Sequence, residues 1–163
     1  MSIYAKNKSM SNCKVGNNQV SKIVFNGKTI WENWKKSTDT KTCSISWSGG
    51  TETGSHQEKD SGWVSIGTEI KNITSAVCHA EINQTAYSGW FTVWLKDASG
   101  NTYQVASLNL RGGASVYDLT TTFTRTDNIV YTHYRCKWSS DDQYWACNGS
   151  GYVQLKEYYK KGS

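Results

Sequence analysis

Trp90-Phe91-Thr92-Val93-Trp94-Leu95-Lys96-Asp97-Ala98-Ser99-Gly100-Asn101-Thr102 is the stretch that sets the fold class. Its first six residues alternate. Phe91, Val93 and Leu95 fall on one side of an extended chain, and Trp90, Thr92 and Trp94 fall on the other. The polar run 96–101 carries a glycine, and residues 102–110 then form a second strand candidate, broken by Arg111-Gly112-Gly113. Two such runs around a short glycine-containing loop predict a β-hairpin.

The same pattern extends on both sides. Residues 42–48 put Cys43, Ile45 and Trp47 on one face. Residues 63–67 and 73–82 predict two further strands. In the second, Ala76, Cys78, Ala80 and Ile82 share a face, with His79 and Glu81 opposite. Residues 116–125 align Tyr117, Leu119, Thr121 and Phe123. Beyond them come a strand at 129–138, a loop at 139–142, a short run at 144–147 and a closing strand at 152–159 that lines up Tyr152, Gln154, Lys156 and Tyr158. About eight strands at regular spacing, with no helical periodicity, predict an all-β antiparallel sandwich or barrel. Composition agrees: eight Trp, ten Tyr and fourteen Gly suit pleated surfaces and turns. With no Pro in the chain, the turns rely on Gly, Asn and Asp.

At 163 residues the chain suits one domain with a small appendage. Residues 1–21 are polar and read as an arm. Lys22-Ile23-Val24-Phe25-Asn26-Gly27-Lys28-Thr29-Ile30-Trp31 predicts a tight hairpin, because Asn-Gly supplies the two positive φ angles of a type I′ turn. Residues 32–41 read as a polar linker in which Trp34 is an anchor. The expected division is therefore 1–40, an arm and hairpin for attachment or assembly, and 41–163, the sandwich lobe. Phe25, Ile30, Trp31 and Trp34 are the candidate assembly residues. They serve either as packing anchors for the N-terminal piece or as contacts to a partner subunit.

The formal charge of +5 is spread along the chain, arginine is scarce, and no basic run is long enough for a nucleic-acid tail, so nucleic acid is not an expected partner. No apolar h-region follows Met1, and no apolar run reaches the length of a membrane span. Synthesis in a cytoplasm without a signal peptide is the expectation. Five cysteines with irregular spacing argue against a complete disulfide framework. Buried free thiols are one reading; pairing of Cys136 with Cys147 across a hairpin is the other.

Catalytic chemistry finds few candidates. Glu69 and Glu81 lie on different predicted strands and could face each other, but their spacing singles out no acid pair. His133 and Cys136 point to opposite faces of one strand. There is no phosphate loop, HExxH helix or serine elbow. A non-enzymatic protein without cofactor or metal is expected; Asp141-Asp142 lacks the ligand series calcium needs. Aromatic residues give the better signal, since exposed indoles stack on sugar rings while neighbouring polar groups satisfy hydroxyls. The candidate ligand-binding residues are Trp90 and Trp94 on the hairpin, with Asp141, Gln143, Tyr144 and Trp145 on a later loop. Burial is the usual fate of a large aromatic, and Trp47 and Trp63 read as core.

Two resemblances add to this. The run Lys22-Ile23-Val24-x-Asn26-Gly27-Lys28-Thr29-x-Trp31 resembles an element near the N-termini of bacteriophage tail and tail-tip proteins. The hairpin Trp94-Leu95-Lys96-Asp97-x-x-Gly100-Asn101 and the strand spacing resemble jelly-roll carbohydrate-binding modules and the related lobes of phage receptor-binding proteins. They imply an antiparallel β-sandwich, jelly-roll-like, in a tail-associated virion protein, structural and receptor- or glycan-binding. Its partners would be other virion proteins, a host cell-surface glycan and further copies of itself, with a trimer as the family expectation. A carbohydrate-binding module of an extracellular glycan-active protein is the alternative.

Overall fold

The computed structural model describes residues 13–15, 18–20, 22–48, 57–82, 88–111, 117–140 and 148–162, and every regular element among them is a strand. In chain order these are β1 (Cys13–Val15), β2 (Asn18–Val20), β3 (Lys22–Phe25), β4 (Lys28–Glu32), β5 (Trp34–Ser37), β6 (Lys41–Trp47) and β7 (Glu58–Asp60). They continue with β8 (Val64–Ile82), β9 (Gly89–Asp97), β10 (Thr102–Leu110), β11 (Tyr117–Arg125), β12 (Tyr131–Ser140) and β13 (Gly149–Lys161). All pairings are antiparallel. β1–β2 and β3–β4 are separate two-stranded hairpins, and the other nine strands form one sheet that curls on itself. Asn26 and Gly27 close β3–β4 with φ of 48° and 73°, as the Asn-Gly dipeptide predicts.

One strand makes the sheet two-layered. Near its start β8 pairs with β12, Val64 opposite Tyr134 and Ile70 opposite Tyr131. From Ile73 to Ile82 it pairs instead with β11, while β13 runs along its other side. The change of partner falls at Asn72, whose φ is 48°. Asparagine tolerates this left-handed conformation. Its side-chain amide nitrogen donates to the carbonyl of Thr126 at 3.1 Å and to that of Asp127, pinning the bend against the β11–β12 connection. One layer is thus β10-β9-β12 with β7 and the start of β8; the other is β11, the rest of β8, β13, β6 and β5. This is the jelly-roll-like sandwich expected, built as a half-barrel on a shared strand.

The core lies between the layers and follows the alternation of the sequence. Cys43, Ile45 and Trp47 are buried on β6, and Ala76, Cys78, Ala80 and Ile82 on β8. Phe91, Val93 and Leu95 from β9 face them, with Cys136 and Trp138 from β12. Tyr134 Oη donates to the Thr42 carbonyl across the gap at 2.7 Å. At one end, Tyr131 Oη accepts from Arg125 Nη2 at 3.0 Å and donates to Asp127 Oδ2 at 3.0 Å. Tyr103 Oη there donates to Asp97 Oδ2 at 3.0 Å. Burial of Tyr131 pushes its phenol up to about 12.

Several expectations need correction. The strands expected at 63–67 and 73–82 are one, because a left-handed asparagine bends β8 without ending it. Ser139 and Ser140, expected in a loop, end β12, where Ser139 pairs with both Trp90 and Glu58. Trp34–Ser37, expected within a linker, is β5, paired along β13 with Ser37 opposite Tyr158. Tyr158 does not share an outward face with Tyr152, Gln154 and Lys156. Register shifts between Leu155 and Tyr159 turn it inward, where it is fully buried and Tyr158 Oη donates to the Asp39 carbonyl at 2.8 Å. Cys136 is a free buried thiol, as are Cys43 and Cys78; Cys147, its expected partner in a disulfide, lies outside the described residues.

Candidate functional site

The outer face of β9 is where the hairpin's second set of side chains emerges. Trp90, Thr92 and Trp94 project away from the core that Phe91, Val93 and Leu95 enter. Cross-strand pairing sets their neighbours. On β12, Ser139 stands opposite Trp90, Lys137 opposite Thr92, and Arg135 opposite Trp94. Together with Trp63, which precedes β8, these side chains line an open groove of about 410 Å³. Trp90 is 42% exposed. Trp90 and Trp94 are four residues apart on an extended strand, roughly 13 Å by strand rise. A platform of that span is longer than a single sugar ring.

Hydrogen bonds and ion pairs fix this surface. Trp94 Nε1 donates to Thr92 Oγ1 at 3.2 Å, which orients the indole. Arg135 makes a two-pronged pair with Asp60 of β7: Nε donates to Oδ1 at 2.8 Å, and Nη2 donates to Oδ2. Arg135, helped by the Gly62 amide, holds the Asp60 carboxyl below the usual carboxylate range. The Arg135 guanidinium and the Lys96 ammonium lie 5.5 Å and 5.1 Å from the Trp63 ring, so two cations approach it. Lys137 Nζ is 3.5 Å from Glu58 Oε1, with both side chains partly exposed.

The structure brings together Trp90 and Trp94, two of the expected ligand-binding residues. Asp141, Gln143, Tyr144 and Trp145 lie outside the described residues. Trp63, expected in the core, stands instead on the groove. Strand parity gives no signal there, because Val64 is exposed although it shares the parity of buried Ile66. Arg135, Lys137 and Ser139 were missed for a related reason. They alternate with Cys136 and Trp138 on β12, but the pairing that puts β12 beside β9 is long-range.

Of the candidate assembly residues, Trp34 Nε1 donates to Glu32 Oε2 at 3.1 Å, and Lys71 lies 4.4 Å from its ring centre. Lys161 Nζ reaches Glu69 Oε2 at 2.6 Å and Glu32 Oε1 at 3.6 Å. Trp34 thus helps fasten the end of the β3–β4 hairpin to the lobe. The side chains of Phe25, Ile30 and Trp31 fall outside the described part of the structure.

Glu69 and Glu81 do not face each other. Both belong to β8, Glu69 engaging Lys161 near one end and Glu81 accepting from Ser150 Oγ at 3.2 Å near the other. Cys136 is buried, whereas His133 lies off the core with Nδ1 2.9 Å from Thr132 Oγ1. Among the described residues no three His, Cys, Asp or Glu side chains gather to hold a metal ion, and no helix is long and apolar enough to cross a membrane.

No protein-family model matches the chain, and no curated protein matches it in sequence. Among solved structures it is similar to capsid structures of infectious bursal disease virus. The VP2 subviral particle matches with 12% identity over 83% of this chain and 40% of that one, at a TM-score of 0.39. The Gx strain structure matches with 14% identity over 99% of this chain and 42% of that one, at a TM-score of 0.36. The chain spans about two-fifths of the length of these capsid proteins. Similarity of that depth assigns no role to it.

Proposed function

We propose that the protein is a non-enzymatic virion component, tail-associated, whose sandwich lobe binds a host-surface glycan through the tryptophan groove. One observation carries the binding half: three indoles, Trp63, Trp90 and Trp94, share one open face with the hydroxyls of Thr92, Thr102 and Ser139. Indoles supply flat apolar area at little conformational cost, and hydroxyls between them match those of a sugar. The groove belongs to the rigid pleat of β9 and β12, so ligand binding need not order a loop. The virion half is supported by the resemblance of residues 22–31 to phage tail elements, with the β3–β4 hairpin as the attachment piece. A carbohydrate-binding module of a glycan-active protein would use the same groove; that N-terminal element favours the virion.

A glycan array probed with the wild-type chain and with Trp90→Ala tests the binding half. Signal on a defined set of glycans, lost in the variant, is expected. A blank array, or signal indifferent to Trp90, overturns it.

A further inference from the structure

We infer that the groove takes an anionic glycan, an oligosaccharide bearing carboxylate, sulfate or phosphate groups beside its sugar rings. This rests on glycan binding as proposed above and adds the chemical class of the ligand. The observation behind it is the distribution of charge. Arg135 and Lys137 line the groove and no carboxylate does, among the described residues. A site shaped for neutral sugars commonly places acceptor groups against hydroxyl donors. Here the residues between the indoles offer hydroxyls and cations.

The carboxylates nearby leave that charge incompletely balanced. Asp60 is held by Arg135 and by the Gly62 amide. Two of the five guanidinium N–H donors of Arg135 go to Asp60, and the others remain for a planar anion. Glu58 approaches Lys137 only to 3.5 Å, a half-exposed pair that a ligand anion can displace at little cost. Lys96 has no carboxylate partner among the described residues; its ammonium rests on the Trp63 ring instead. Three cations therefore face two carboxylates. The apolar indoles beside them are low-dielectric neighbours, which strengthens their pull on an anion. An elongated ligand can stack on Trp90 and Trp94 while its acidic substituents lie along Arg135 and Lys137, the residues opposite Trp94 and Thr92.

The test is titration against matched pairs: an oligogalacturonate and its methyl ester, a sulfated oligosaccharide and its desulfated form, and a sugar-phosphate polymer with its dephosphorylated repeat. A sugar-free polyphosphate is the control. The charged member of at least one pair should bind about tenfold more tightly than its neutral partner, with the preference shrinking from about 50 mM to about 500 mM salt. Which pair discriminates identifies the acidic group. Lys137→Gln and Lys96→Gln should each lower the charged-to-neutral ratio, whereas Trp90→Ala should weaken both members alike. Equal affinity within every pair, or polyphosphate binding as strong as the glycans and indifferent to Trp90→Ala, overturns the anionic assignment. In the equal-affinity case glycan binding itself stands; binding to no member of any pair, with a blank array, overturns both.

Discussion

Trp47 of β6 and Trp138 of β12 lie ring on ring, centroids 4.6 Å apart and planes 6° apart, so the two layers meet through stacked indoles. Phe91 of β9 joins them, 6.3 Å from Trp47. Trp138 is fully buried, and its removal opens a large cavity at the point where the layers are held together. Trp138→Ala should cost about 3–5 kcal/mol, read as a lower midpoint in urea unfolding. Trp138→Phe, which keeps an aromatic face against Trp47, should cost less.

The same closeness makes two glycines of β13 irreplaceable. A Cβ on Gly151 would overlap the Phe91 ring, and one on Gly149 would overlap both the Trp47 ring and the Glu81 carbonyl. Phe91 can turn slightly, but the carbonyl belongs to the paired strand β8. Gly151→Ala should therefore destabilise by about 1–3 kcal/mol, and Gly149→Ala by more. Thermal unfolding of the two variants side by side checks the order.

Acid should weaken the β9–β10 turn before the core. Asp97 accepts from the Asn101 side chain at 2.9 Å, from the Asn101 amide at 2.8 Å, from Tyr103 Oη at 3.0 Å and from the Ser99 amide at 2.8 Å. These donors, led by the Asn101 side chain, hold its carboxyl below the usual range. A carboxyl depressed in the folded state stabilises fully above its unfolded value, and that stability is lost as pH falls through the folded one. Melting temperature should thus drop as pH is lowered below about 4, and Asp97→Asn should flatten that drop. An acid limb equally steep in the variant would remove Asp97 from the explanation.

Much of this was legible in the sequence because the alternation of residues 90–95, 42–47 and 76–82 is strict, and the period-2 rule then fixes which side chains are core. Asn26-Gly27 was legible because few residue pairs accept two positive φ angles. Three things were not. Nothing local tells that Asn72 bends β8 without ending it. The irregular register of β13 moves Tyr158 to the core, and bulges carry no simple residue code. The groove joins side chains from β9, β12 and the segment before β8, and only long-range pairing decides that these adjoin. For that last reason Trp63 stands on the groove where a core position was expected, and Trp34 lies in a strand where a linker was expected.

Two of the core thiols, Cys78 and Cys136, should be inert in the native protein, whereas the hydrogen bond with Cys136 lowers Cys43. Burial pushes Cys78 up to about 12, and Cys136 is raised by its hydrogen bond with Cys43 and by burial. Iodoacetamide at pH 8 followed by peptide mapping should find Cys78 and Cys136 unlabelled in the folded protein and labelled in urea. Labelling of either without denaturant would show that the layers part more readily than the stacked core implies.

The tryptophan groove is the centre of this account, and calorimetric titration of the strongest array glycan into wild type, Trp63→Ala, Trp90→Ala and Trp94→Ala tests it most directly. Near-UV circular dichroism of each variant verifies that the fold is retained. Each truncation is predicted to weaken binding about tenfold or more, equivalent to about 1.4 kcal/mol. Wild-type affinity in all three folded variants would contradict the assignment of this face as the binding site.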